Sequence, residues 1–184
     1  CSGTFNQVRV AKARKYGVYI NNAYPSSAAT GAVTVNNLTI LNTSSFPGDS
    51  STMFGGAYFI SNSPISINGL FVKDTDGVGV RIKYGPGAVT IKNGYVGFSK
   101  PFDIYDGIGL RILGAGSLVG VVTLDNLRIY DNQSDGILIA NGGVVKLNNV
   151  YSSGNSGGYG LHLGDTDTPD STKSLTINNS QFNW

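Results

Sequence analysis

Along residues 122–140, VTLDNLRIYDNQSDGILIA, apolar side chains stand at Val122, Leu124, Leu127, Ile129, Ile137 and Ile139. The spacing is two within each short run and slips by one across Asn126. Alternation of this kind places every second residue of a strand on one face, and the slip marks a bend between two such strands. A polar turn follows, and Asp135-Gly136 opens a last short run. The pattern predicts strand, one-residue corner, strand, turn, strand.

The same pattern recurs. VTVNNLTI starts at Val33, ISINGLFV at Ile65, VTIKNGYV at Val89, VKLNNVYS at Val145 and LTINNSQF at Leu175, with a degraded copy from Gly3. Successive starts differ by 30, 32, 24, 33, 23 and 30 residues. A period in this range with strands inside each unit predicts a solenoid, because one unit cannot bury its apolar face and a stack can. The predicted interior columns are Val33, Ile65, Val89, Val122, Val145, Leu175 and Phe5, Val35, Ile67, Ile91, Leu124, Leu147, Ile177. A third, after the corner, is Ile40, Val72, Val96, Ile129 and Phe182, with Ser152 as its exception. The corner column reads Gln7, Asn37, Gly69, Asn93, Asn126, Asn149 and Asn179, residue types that tolerate a left-handed backbone.

This coil pattern, with its Asn corner, resembles the right-handed parallel β-helix of the pectin-lyase-like superfamily, which includes pectate lyases, polygalacturonases and phage tailspike depolymerases. The resemblance covers nearly the whole chain. It implies an all-β, single-stranded right-handed parallel β-helix. The repeats make about six to seven coils. No linker divides residues 1–184, which are expected to be one domain, and the uncapped ends lead us to expect a segment of a longer β-helix. Fold of this kind does not by itself imply chemistry. Asp74-Thr75-Asp76-Gly77 and Arg81-Ile82-Lys83 resemble two polygalacturonase motifs. They stand almost side by side here, without a paired Asp or a Gly-His-Gly between them, so that catalytic set is not carried over.

Composition agrees with strands and turns. There are 26 Gly, all eleven acids are Asp, and Met occurs once. Helix formers are correspondingly scarce. Net charge is +2 without blocks of like charge, which argues against nucleic acid or a membrane surface as partner. No run approaches the ~20 apolar residues of a membrane helix. Cys1 is the only cysteine, so no intrachain disulfide forms.

Candidate chemistry comes from stacking coils. The outward residues of the last strand form the column Tyr19, Tyr58, Arg81, Arg111, Leu138, His162. Turns just before it carry Asp74 and Asp76, Asp103 and Asp106, then Asp131 and Asp135. Carboxylates ~5–10 Å apart suit acid and base or nucleophile in glycosidic cleavage, although Asp before Gly is also ordinary turn chemistry. A second outward stripe, Arg9, Thr39, Phe71, Tyr95, Arg128, Tyr151, Gln181, offers flat rings and cations. The expected catalytic set is therefore the six aspartates, with Arg81, Arg111, Tyr58, Tyr95, Arg128, Tyr151 and His162 contacting substrate. A third stripe, Thr4, Thr34, Ser66, Thr90, Thr123, Lys146, Thr176, is hydroxyl-rich and explained by β-propensity.

The function expected is an extracellular or virion-surface β-helix that binds a polysaccharide; whether it also cleaves it, as a hydrolase or lyase, is left open. The alternative is a non-catalytic structural shaft or adhesin segment. No cofactor or metal is expected; Asp165, Asp167 and Asp170 in the loop 164–173 are the minor alternative, as a calcium site. Open strand edges at the ends of a solenoid call for cover, so other domains of the parent chain or sister subunits of a homotrimer are expected partners, and the isolated chain is expected to associate.

Overall fold

The computed structural model describes residues 2–22, 31–44, 55–101, 107–115, 119–164 and 172–183. Among them are fifteen strands and no helix. In chain order these are β1 (Gly3–Asn6), β2 (Arg9–Ala11), β3 (Tyr16–Asn22), β4 (Val33–Thr43), β5 (Gly55–Ser61), β6 (Ile65–Asp76), β7 (Val78–Tyr84) and β8 (Val89–Lys100). There follow β9 (Leu110–Gly114), β10 (Val121–Tyr130), β11 (Ile137–Ala140), β12 (Val144–Ser153), β13 (Leu161–Leu163), β14 (Ser174–Asn178) and β15 (Gln181–Phe182).

A nine-stranded sheet orders β1-β4-β6-β8-β10-β12-β14, with β2 beside β4 and β15 beside β12. A six-stranded sheet orders β13-β11-β9-β7-β5-β3. The chain passes from the large sheet to the small one and back, and every pairing is parallel. That is the arrangement of a parallel β-solenoid.

Register follows the sequence columns. Val33 pairs Ile65, Ile65 pairs Val89, Val89 pairs Val122, Val122 pairs Val145 and Val145 pairs Leu175. Ile91, Leu124 and Leu147 are completely buried in the next column. Full burial of one such side chain stabilises by about 1.5–3 kcal/mol. At the last coil the same columns open: Leu175 and Ile177 are 39% and 44% exposed, where Val145 and Leu147 are 0%.

Two bends are left-handed. Gln7, Asn37, Gly69, Asn93, Asn126, Asn149 and Asn179 all have φ between +47° and +78°. The amides of this corner bond along the stack, Asn126 Nδ2 donating to Asn93 Oδ1 at 2.8 Å and Asn93 Nδ2 to Asn68 Oδ1 at 2.8 Å. Elsewhere the ladder runs one residue earlier, Asn36 to Asn6 and Asn178 to Asn148. At Gly69 the corner column has no amide, and Asn37 Oδ1 occupies the space a Cβ would take. The second bend lies near the C-terminal ends of β4, β6 and β8 and just after β10, at Asn42 (+54°), Asp74 (+57°), Phe98 (+57°) and Asp131 (+54°). Sequence patterning does not show this second column, because its residue types differ from coil to coil.

Immediately inside it lies a buried polar ladder. Thr75 Oγ1 bonds Ser99 Oγ (3.3 Å), Ser99 N donates to Asn132 Oδ1 (3.1 Å), Asn132 Nδ2 to Asn155 Oδ1 (3.1 Å) and Asn155 Nδ2 to Ser152 Oγ (3.0 Å). This explains Ser152 in an otherwise apolar column: it accepts the last bond of the ladder. It also accounts for the glycines just before β9 and β11. A Cβ on Gly136 would lie 2.0 Å from Ser152 Oγ, and one on Gly109 2.6 Å from Asn132 Nδ2.

Candidate functional site

The outward stripe of the large sheet is in register as Thr39, Phe71, Tyr95, Arg128, Tyr151, Gln181. Alternation fixes these side chains away from the core, and parallel pairing sets neighbours ~4.8 Å apart. Phe71 and Tyr95 stack with centroids 5.2 Å apart and planes at 20°. Tyr130, which the sequence reading missed, lies 6.4 Å from Tyr95. It stands two residues after Arg128, so strand alternation alone puts it on this face. Arg128 Cζ sits 4.0 Å from the Tyr151 ring centroid, a cation–π contact that holds the guanidinium over the ring. Arg128 Nη1 also donates to the carbonyls of Leu127 and Asn149.

Hollows lie at both ends of this stripe. One of about 230 Å³ is lined by Asn37, Leu38, Thr39, Gly69, Leu70, Phe71 and Asn93. An open groove of about 610 Å³ is lined by Asn149, Tyr151, Ile177, Asn179, Ser180 and Gln181. Burial, and then the Asp131 and Asp74 carboxylates, push the Tyr95 phenol above its usual value of 10. Tyr95 therefore remains a hydrogen-bond donor at neutral pH.

The aspartates do not share one column. Asp74 and Asp131 occupy the second left-handed bend, two coils apart, with Phe98 between them. Lys73 lies 3.9 Å from Asp74 and 4.9 Å from the Phe98 centroid, and the Asp74 side chain is 39% exposed. Asp76 ends β6 opposite Lys100. Asp103 and Asp106 lie outside the described residues, as do the loop aspartates 165, 167 and 170. Asp135 is buried (7% exposed), accepting from Tyr159 N at 2.7 Å and facing His162 Nδ1 at 2.8 Å. Carrying the small-sheet register back from β11 and β9 aligns Asp135 with Ile108 and not with another acid.

On the small sheet the column Tyr19, Tyr58, Arg81, Arg111, Leu138, His162 is in register as expected from the sequence. Its exposure is uneven. Tyr19 is 53% exposed, whereas Tyr58 and Leu138 are each only 5% exposed. Tyr58 packs against Tyr16 and Tyr19, with centroids 5.7 and 5.6 Å away, and carries Arg81 5.1 Å above its ring. Leu138 joins Val78, Ile108, Ala140 and Leu113 in a second apolar cluster. Outward from the coil is thus not the same as exposed, and of this column Tyr58 is too covered to offer a stacking face. No group of acids, histidine or cysteine among the described residues is arranged to hold a metal ion.

No protein-family model, no curated protein and no solved structure matches the chain. The functional reading therefore rests on geometry.

Proposed function

We propose that this protein is a right-handed β-helix of the pectin-lyase-like type, of about six to seven coils, that binds a polysaccharide at the cell exterior or on a virion. The observation that carries the reading is the Phe71–Tyr95 stack at 5.2 Å, continued along the same column by Arg128 over the Tyr151 ring. Sugar rings present C–H faces that pack on such flat apolar surfaces, and Arg supplies donors to hydroxyls or carboxylates beside them. The two hollows extend this surface at either end of the stripe. Cleavage by the aspartates is the further expectation within this reading.

One observation favours the alternative, a non-catalytic shaft. Asp74 and Asp131 occupy left-handed bends, where Asp is a good turn residue whatever else it does.

Affinity electrophoresis against a panel of neutral and acidic polysaccharides, with reducing-end release assayed in parallel, tests both. Retardation by at least one glycan, weakened about tenfold or more by Tyr95→Ala and by Tyr151→Ala, is the expected result; loss of a base-stacking or sugar-stacking ring is of the order of 1–3 kcal/mol by analogy with aromatic platforms. Retardation by none of them, or retardation indifferent to both substitutions, overturns the binding reading. Release of reducing ends that survives Asp74→Asn, Asp76→Asn, Asp131→Asn and Asp135→Asn removes those four from the chemistry.

A further inference from the structure

Asp135 is the only charged residue among the buried ones in the described structure. Its two oxygens are both engaged. Oδ1 accepts the backbone N–H of Tyr159 at 2.7 Å, and Oδ2 lies 2.8 Å from His162 Nδ1. Making the turn requires only the first of these bonds. The second does something a turn does not need: it orients an imidazole. A carboxylate can only accept, so the neutral ring facing it must carry its proton on Nδ1. That leaves the Nε2 lone pair as the free base of the ring, and nothing among the described residues hydrogen-bonds Nε2.

The surroundings suit a bound substrate. The His162 side chain is 31% exposed while its Asp135 partner is 10% exposed, so the base faces solvent and the orienting group does not. Tyr159, 54% exposed, stands edge-on to the imidazole with centroids 5.4 Å apart, an apolar surface beside the nitrogen. A nucleophile or base held by a buried orienting group, next to an open surface, is the geometry that marks catalytic imidazoles on unrelated folds.

We propose that His162 is a general base for hydrolysis of an ester, with Asp135 as its positioning residue, and that the substrate is an O-acyl substituent on a sugar. The choice of a sugar ester rests on the polysaccharide reading above; the base itself does not. Nε2 takes a proton from water as the water oxygen bonds to the acyl carbon. The bond from that carbon to the sugar oxygen then breaks, its electron pair stays on the sugar oxygen, and His162 returns the proton there. A carboxylic acid and a free sugar hydroxyl leave, and the imidazole is neutral again. No metal, redox partner or covalent enzyme intermediate enters the sequence.

His162 is the single histidine of the chain, so its signals and its modification are unambiguous. The test uses the 184-residue chain with p-nitrophenyl acetate and glucose pentaacetate as probes. The expected result is turnover above an equal concentration of free imidazole, reduced on the order of 10²–10⁴-fold in His162→Gln and by up to about 10⁴-fold in Asp135→Asn, which loses the carboxylate that sets the tautomer. Nitrogen-15 spectra of the histidine should show the Nδ1–H tautomer in the wild type and lose it in Asp135→Asn, a change that a purely structural role in a folded variant would not tie to turnover. Should His162→Gln fail to fold, diethyl pyrocarbonate on the wild-type protein should abolish turnover and hydroxylamine restore it. Turnover no greater than imidazole, or turnover unaffected by loss or modification of His162, overturns the proposal. p-Nitrophenyl acetate carries no sugar ring, so its hydrolysis reports the base alone, whereas glycan retardation reports the aromatic column alone. Ester hydrolysis without glycan retardation would therefore refute the binding column alone, and glycan retardation without ester hydrolysis would refute the base alone.

Discussion

Replacing Asn132 by Ala tests whether the buried polar ladder holds the bend of the solenoid together. Asn132 is completely buried. Its Oδ1 accepts the backbone N–H of Ser99 at 3.1 Å, and its Nδ2 donates to Asn155 Oδ1 at 3.1 Å. Truncation deprives a buried backbone N–H of that acceptor, a cost of about 1–3 kcal/mol, and removes a second bond worth a further ~0.5–1.5 kcal/mol. The sum is about 2–4 kcal/mol, before any cavity is counted. For a chain of this length 1 kcal/mol corresponds to about 2–4 °C in Tm, so a fall of about 6–12 °C is expected for the middle of that range. Urea unfolding followed by far- and near-ultraviolet circular dichroism gives the free energy directly, provided the two transitions coincide and the slope is unchanged. Asn126→Gly is the control. It removes an amide of the same chemistry from an exposed corner at φ +52°, where glycine is at ease and where Gly69 already serves one coil. Asn126→Gly should cost less than about 1 kcal/mol, an exposed hydrogen bond being of that size at most. If Asn132→Ala costs no more than Asn126→Gly, the ladder is not a stabilising element and the reasoning fails.

Two further outcomes follow from close packing and burial. Gly136→Ala would place its Cβ 2.0 Å from Ser152 Oγ and 2.6 Å from Asn155 Nδ2, so thermal unfolding should show a loss of about 1–3 kcal/mol, typical of an overfilled core; wild-type stability would show that the bend yields freely. Tyr84 is 1% exposed and donates to the Gly142 carbonyl at 3.0 Å, and burial pushes its phenol up to about 12. Because the folded state keeps that proton above the unfolded value of 10, its contribution is fully present below pH 10 and is lost as pH rises from 10 through about 12. Urea midpoints measured across that window should fall more steeply for the wild type than for Tyr84→Phe, and parallel slopes would refute the assignment.

What the chain alone determines is everything that depends on local periodicity. Apolar residues at alternate positions choose the faces of the strands. An Asn or Gly at every slip but that of Gln7 favours a left-handed bend, since most other side chains meet their own backbone there. Repetition of the unit lines Val33 up with Ile65 and carries that pairing through Leu175. Even the outward columns were legible, because in-register parallel strands copy the sequence alignment into space.

Only the tertiary structure decided what those columns meet. Tyr58 and Leu138 point out of the coil and are still covered, since exposure depends on neighbours distant in sequence. The second bend was invisible because Asn42, Asp74, Phe98 and Asp131 share a backbone conformation without sharing a side-chain type. The polar ladder was hidden for the opposite reason: Thr75, Ser99, Asn132 and Asn155 look like turn residues one at a time, and become an interior element only when their coils stack. Asp135 and His162 are 27 residues apart, and a distance of 2.8 Å between them is set by neither periodicity nor propensity. It arises because parallel stacking brings the turn of one coil against the strand of the next, which is also why any chemistry of this solenoid lies between coils and not within one.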